Sequence, residues 1–144
     1  MPDAKREFAQ LFSSTRRGAH LARVAAVRVL AAWGYEADVP ALVVAELAAN
    51  AVAHCRTAGR DFRLYLAVDP DRFAVLRVEL SDACADTRPA PRPCLPDDDA
   101  EGGRGLVLVE ALSLDWGVAD RPYGKTVWAE VLLEVGTRRD PSEV

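Results

Sequence analysis

Glu46, Asn50 and His54 recur at i, i+4 and i+8 within a run from Val39 to His54. In a helix they stack along one face, while Val43, Leu47 and Ala51 share another. A carboxylate and a carboxamide one turn apart present hard oxygens, the donor type that holds Mg²⁺ or positions a water or hydroxyl above a phosphorylated ligand. Further along, a strand-like run ends in Ser81-Asp82, and Glu101-Gly102-Gly103-Arg104-Gly105-Leu106 opens a second helical pattern. A carboxylate at a strand end accepts a hydrogen bond from an exocyclic amino group, which adenine offers and the keto edge of guanine does not. Backbone N–H groups at a glycine-rich helix start bind phosphate, and Arg104 can add positive charge there. The three features in this order point to a nucleotide site without a P-loop.

Each feature has a plainer reading. Glu46 and Asn50 also fit a solvated helix face, Asp82 a turn residue, and Gly102, Gly103 and Gly105 a hinge, with Arg104 facing water. Against the first stands the choice of Asn, a poor helix-interior residue, inside an alanine-rich run that favours helix without it. Gly124-Lys125-Thr126 imitates the end of a P-loop and is rejected. The first glycine of that motif falls at Ala119, and a strand rather than a helix follows. His20, His54, Cys55, Cys84 and Cys94 contain no C-x-x-C pair, which disfavours a zinc site. Adjacent helix residues diverge, so His54-Cys55 is not a nucleophile–base pair.

The elements that must position these residues are legible in outline. Glu7 to Ser13 reads as an edge strand. Ser14 or Thr15 caps a helix to about Trp33, stopped by Gly34, with Leu21, Val24, Ala25, Val27, Arg28 and Leu30 on its apolar face. Asp38 caps the next helix, with Pro40 in its first turn. Phe62, Leu64, Leu66 and Val68 alternate, Asp69 to Arg72 turn, and Ala74, Leu76, Val78 and Leu80 alternate again, as in a hairpin. Pro89, Pro91, Pro93, Pro96 and Asp97-Asp98-Asp99 make 83–101 a loop. Gly105 to Leu114 is helical, Leu114 to Val118 a short strand, and Lys125 to Val135 the last strand. The predicted fold is an α+β two-layer sandwich: a mostly antiparallel, mixed sheet with three helices on one face.

At 144 residues with 50% hydrophobic content, the chain has enough apolar material for one domain with a real core. The expected ordered part is about 7–135, with a flexible tail over 136–144. A net charge of −4 argues against nonspecific nucleic-acid binding. No apolar run reaches membrane-spanning length, and the first residues lack a signal-peptide core. The three cysteines lack paired spacing and fit reduced thiols, so a cytoplasmic location is expected.

With these motifs in hand, the chain resembles the stand-alone ATP-binding domains of anti-sigma factor serine kinases, in the histidine-kinase-like ATPase (GHKL, Bergerat-fold) superfamily, and its alanine-rich style is similar to the actinobacterial sets. Glu46 to His54 resembles the N box, Glu79-Leu80-Ser81-Asp82 the start of the G1 box, and Gly103-Arg104-Gly105-Leu106 with Leu108-Val109 the G2 box. Gly124-Lys125-Thr126-Val127-Trp128-Ala129 resembles the closing strand. The resemblance implies that Asn50 coordinates Mg²⁺ on the phosphates of ATP, Glu46 acts as general base, and Asp82 binds the adenine amino group. It further implies that Gly103 and Gly105 let the backbone approach the phosphates, that 83–101 is an ATP lid, and that Thr126 supports the adenine end. It implies serine/threonine-protein kinase activity on an anti-sigma factor antagonist, binding of a sigma factor, and pairing of two copies as in family members that dimerise through the sheet side. Direct nucleic-acid or membrane partners are not expected. One departure stands out: Asp82-Ala83-Cys84-Ala85-Asp86 has none of the glycines usual after the G1 aspartate. It keeps a second reading open, a non-catalytic ATP-binding module that sequesters a sigma factor or signalling partner.

Overall fold

Local chemistry at both ends fixes the first helix. The computed structural model describes residues 4–54, 60–72, 74–82, 102–122 and 124–136. Strand β1 (Arg6–Ser13) runs into Thr15, whose hydroxyl accepts a 2.9 Å hydrogen bond from the Gly18 N–H and so starts α1 (Arg16–Trp33). Gly34 ends it in the left-handed region at φ 90°, its N–H bonded back to the Ala31 carbonyl. The buried stripe of α1 is Gly18, Ala22, Ala26 and Leu30. It is not the stripe expected from the large aliphatics: Leu21, Val24 and Val27 stay exposed. Small residues four apart let α1 lie close against its neighbour, so side-chain size rather than hydrophobicity chose the face.

That neighbour is α2 (Asp38–His54), which buries Val43, Val44, Leu47, Ala48 and Ala51. Its first described intrahelical bond runs from the Ala41 N–H to the Ala37 carbonyl. Ala37 therefore holds the cap position, and Asp38, expected as the cap, is instead the first helical residue. There its carboxylate still opposes the positive end of the helix.

Strands β2 (Asp61–Val68) and β3 (Val75–Asp82) form the expected hairpin. Asp69 makes the turn twice over, its carbonyl taking the Arg72 N–H and its Oδ1 the Asp71 N–H, both at 2.9 Å. Helix α3 (Gly102–Leu112) starts three residues before the sequence pattern placed it, so its glycines are helical. Strand β4 (Asp115–Arg121) extends beyond Val118 because each added residue finds a partner on β5 (Gly124–Leu132). The sheet order is β1-β2-β3-β5-β4, and each pairing among the described residues is antiparallel, so the sheet is not mixed.

The α+β sandwich is as expected otherwise. Alternation sends Phe62, Leu64, Leu66, Leu76, Val78, Leu80, Val127, Ala129 and Val131 toward the helices. There they join Leu30, Val43, Leu47 and Val109 in one core. Each fully buried aliphatic contributes about 1.5–3 kcal/mol. α2 occupies the centre of the helical layer, packed against α1, α3, β3 and β5. The opposite sheet face is polar and laddered: Arg77 contacts Glu79 at 3.0 Å and Glu130 at 3.4 Å and stacks 4.2 Å from the Trp128 ring centroid, and Arg72 meets Glu130 at 2.6 Å. Arg72 holds the Glu130 carboxyl below its ordinary range against the opposing effect of burial. Among the described residues no helix is long and apolar enough to cross a membrane.

The end of β1 and the first turn of α1 meet closely. A Cβ on Gly18 would lie 1.8 Å from the Ser13 carbonyl oxygen. That atom is backbone and cannot swing away, so Gly18→Ala is expected to destabilise the protein by about 1–3 kcal/mol, the usual cost of overpacking. Urea denaturation of both proteins checks this.

Candidate nucleotide site

Two elements of the core carry polar residues where apolar ones would pack. On α2, Asn50 is only 9% exposed, in the same buried surface as Leu47 and Ala51. Its Oδ1 finds no hydrogen-bond partner among the described residues. A buried acceptor left unpaired costs about 1–3 kcal/mol. Such an atom is explained when a ligand supplies the missing partner. Glu46, one turn earlier, is half-buried, so its carboxylate keeps access to solvent or substrate.

The second element is the end of the central hairpin. Asp82, the last residue of β3, is 5% exposed and lies directly across the ladder from Lys125 on β5, also 5% exposed. Asp82 shares the parity of Leu80 and Val78, and Lys125 that of Val127 and Ala129, so both project to the helical side. Burial pushes the Lys125 ammonium below its ordinary 10.5, and the Asp82 carboxylate offsets this only in part. A depressed pKa means that folding disfavours the charged form. The resulting cost to stability is present below the folded pKa and is relieved as pH rises toward and past 10.5.

Thr126 does not join this group. It is on the other sheet face, where its hydroxyl is 2.7 Å from that of Ser81. The β5 residue that shares the face of Asp82 is Lys125, which the sequence reading passed over as part of a false P-loop. The signal was available: counting back by twos from Val131, Ala129 and Val127 lands on Lys125.

Helix α3 contributes backbone. Gly102, Gly103, Arg104 and Gly105 form its first turn, and the first four N–H groups of a helix have no partner within it. They are the natural contacts of an anion, reinforced by the helix dipole. Leu106 follows, half-buried. The loop 83–101, the side chains of Arg104 and His54, and the tail beyond 136 lie outside the described residues. α2, which carries Glu46 and Asn50, packs on β3, β5 and α3, so it contacts each of the other candidate elements. A depression of about 250 Å³ elsewhere, lined by Lys5, Tyr65, Arg72, Arg77, Glu79 and Glu130, is on the outer face among charges that are already paired. It is separate from Asn50 and Asp82.

The geometry thus offers a buried carboxamide oxygen, a carboxylate at a strand end and the N-terminal turn of a helix, on elements that α2 contacts. The model of the histidine kinase-like ATPase domain matches residues 12–131, which spans every one of these groups. The chain belongs to the histidine kinase-like ATPase family. No curated protein matches it. Family membership makes this an ATP-binding fold.

The donor set also suits the metal that accompanies ATP. Mg²⁺ takes oxygen ligands, usually one or two from the protein with the rest from phosphates and water. The orphaned Oδ1 of Asn50 fits that role. Asn50→Ala removes a buried unpaired acceptor and installs a better helix former. Without nucleotide the variant is expected to melt at or above the wild-type temperature. Addition of Mg-ATP is expected to raise the wild-type melting point and leave that of the variant unmoved. Thermal melts with and without Mg-ATP check both halves.

Proposed function

We propose that this protein is an anti-sigma factor with ATP-dependent serine/threonine kinase activity toward an anti-sigma factor antagonist. The observation that carries the reading is Asn50, buried and with its Oδ1 unpaired among the described residues, one helical turn from the half-buried Glu46. A binding module has no evident use for a carboxylate one turn from that carboxamide. A kinase needs one, to take the proton of the attacking hydroxyl. The chain's resemblance to stand-alone anti-sigma kinases supplies the partners, a sigma factor and its antagonist.

In this reading Asp82 accepts a hydrogen bond from the adenine amino group. The amides of Gly102–Gly105 hold the phosphates, and Mg²⁺ at Asn50 neutralises their charge when bound. Glu46 orients the serine hydroxyl of the antagonist and accepts its proton. The serine oxygen bonds to the γ-phosphorus, the bond from phosphorus to the β–γ bridging oxygen breaks, and ADP leaves with that electron pair. Positioning and charge neutralisation account for most of the rate in such transfers.

A second reading has one specific observation behind it. The segment after Asp82 reads Ala83-Cys84-Ala85-Asp86, without the glycines that give a nucleotide-facing loop its freedom. On that reading ATP is a structural ligand, and the protein sequesters its partner without turnover.

Glu46→Gln separates the two. It keeps size and hydrogen-bonding capacity but removes the proton acceptor. With labelled ATP and the antagonist proteins of the same genome, wild type is expected to transfer phosphate to one of them. Glu46→Gln is expected to be slower by roughly 10²–10⁴-fold with ATP affinity little changed. Unchanged phosphorylation removes Glu46 from the role of base. A wild type that binds an antagonist and never phosphorylates it leaves the binding module standing.

A further inference from the structure

Lys125 remains without a role in the account so far, and it is an expensive residue to keep. An ammonium is a compact, strongly hydrated charge with three N–H donors and no acceptor. Here it is 5% exposed, at the start of β5 and on the apolar side of the sheet. The field of Asp82 does not repay its desolvation. An aliphatic side chain at this position would continue the inward row of Val127, Ala129 and Val131 at no such cost. Buried charge that a fold carries against its own stability is characteristic of a functional site.

Its position says which part of a ligand it meets. Lys125 is the direct ladder partner of Asp82, with both side chains on the helical side and both buried. The site floor therefore carries an acceptor and a charged donor side by side. The Watson–Crick edge of adenine presents the complementary pair: the amino group at position 6 donates, and the adjacent ring nitrogen N1 accepts. Guanine presents the same two positions in the opposite sense, with a keto acceptor at 6 and an N–H donor at 1. A polar site built for one order leaves buried groups unpaired against the other, which is the strongest way for a pocket to discriminate.

We infer that Lys125 is a base-reading residue of the nucleotide site, its ammonium donating a hydrogen bond to N1 of adenine while Asp82 accepts from the amino group. This deepens the assignment of the helical side as the ATP site and rests on it. It also accounts for Thr126, which spends its hydroxyl on Ser81 on the other face and is not needed at the base.

The test is a titration of the full chain with Mg-ATP and with two analogues. In 1-deaza-ATP, N1 is replaced by C–H; in purine riboside triphosphate the amino group is missing. A hydrogen bond to a charged donor corresponds to roughly 10–100-fold in affinity. Wild type is expected to bind 1-deaza-ATP weaker than ATP by about that factor. Lys125→Met is expected to bind the two within about twofold, while still preferring ATP to the purine riboside analogue through Asp82. Lys125→Gln, which keeps an uncharged N–H donor, is expected to fall between. Lys125→Met is also expected to melt no lower than wild type, since a buried charge has been replaced by an apolar group of similar length.

Wild type that binds ATP but is indifferent to N1 overturns the assignment of Lys125 and leaves the ATP site intact. So does a folded variant, Met or Gln, that still discriminates at N1 as strongly as wild type. Equal weakening of ATP and 1-deaza-ATP in Lys125→Met places the ammonium elsewhere on the nucleotide and likewise overturns it. If wild type binds no nucleotide on this face at all, the failure belongs to the site and not to Lys125 alone.

Discussion

The seat of α2 on the central strands is the constraint on which the site depends. Val43, Val44, Leu47 and Ala48 are fully or almost fully buried there, and α2 packs on β3 and β5 with α1 and α3 at its sides. The register of that contact decides where the last two turns of α2 come to rest. Asn50 is buried because Leu47 and Ala51 are buried around it. Were α2 rotated by one residue, about 100°, the carboxamide would face solvent only if the apolar stripe of Val43, Leu47 and Ala51 turned out of the core with it. Apolar packing holds a polar group where it is least comfortable, and the group is thereby preorganised.

Asp82 and Lys125 repeat the pattern in the sheet. The strands alternate apolar residues toward the helices for most of their length, then place a carboxylate and an ammonium in the same rows at one end. On the opposite face polar groups are matched among themselves, with Arg77 shared between Glu79, Glu130 and the Trp128 ring. Gly117, opposite Trp128 in the ladder, keeps room for that ring: a Cβ there would come within 2.9 Å of it. Among the described residues the outer face pairs Arg72, Arg77, Glu79 and Glu130 with one another, and Ser81 with Thr126. The helical face keeps at least one acceptor open at Asn50. That contrast is the ground for proposing the nucleotide on the helical side.

Most of the architecture was legible in the sequence where local chemistry decides. Thr15 and Gly34 bound α1 as capping rules require, Asp69 makes the turn its side chain favours, and period-two alternation gives β2 and β3. What was not legible depends on partners distant in the chain. The face α1 buries depends on how closely α2 and the end of β1 approach it, which a hydrophobic period does not encode. The length of β4 was set by its pairing to residues 124–126 of β5. α3 began earlier than expected because glycine signals a break by propensity and yet is helical here. In the site, Glu46, Asn50 and Asp82 stood out by residue type. Lys125 is concealed by its type, as the lysine of a sequence that imitates the end of a P-loop. Its parity with Val127 and Ala129 was the better guide.

That the nucleotide is held on the helical side of the sheet, between α2, the ends of β3 and β5, and the first turn of α3, is tested most directly by amide chemical shifts. Spectra of the ¹⁵N-labelled protein would be recorded as Mg-ATP is added. The expected result is that the largest changes fall on the Asn50 side-chain amide and on the backbone of Glu46, Asp82, Lys125 and Gly102–Gly105. The Trp128 indole and the amides of Tyr65 and Arg77 are expected to stay in place. Changes centred on Tyr65, Arg77 and Trp128, with Asn50 and Lys125 unmoved, would put the ligand on the outer face and contradict the account.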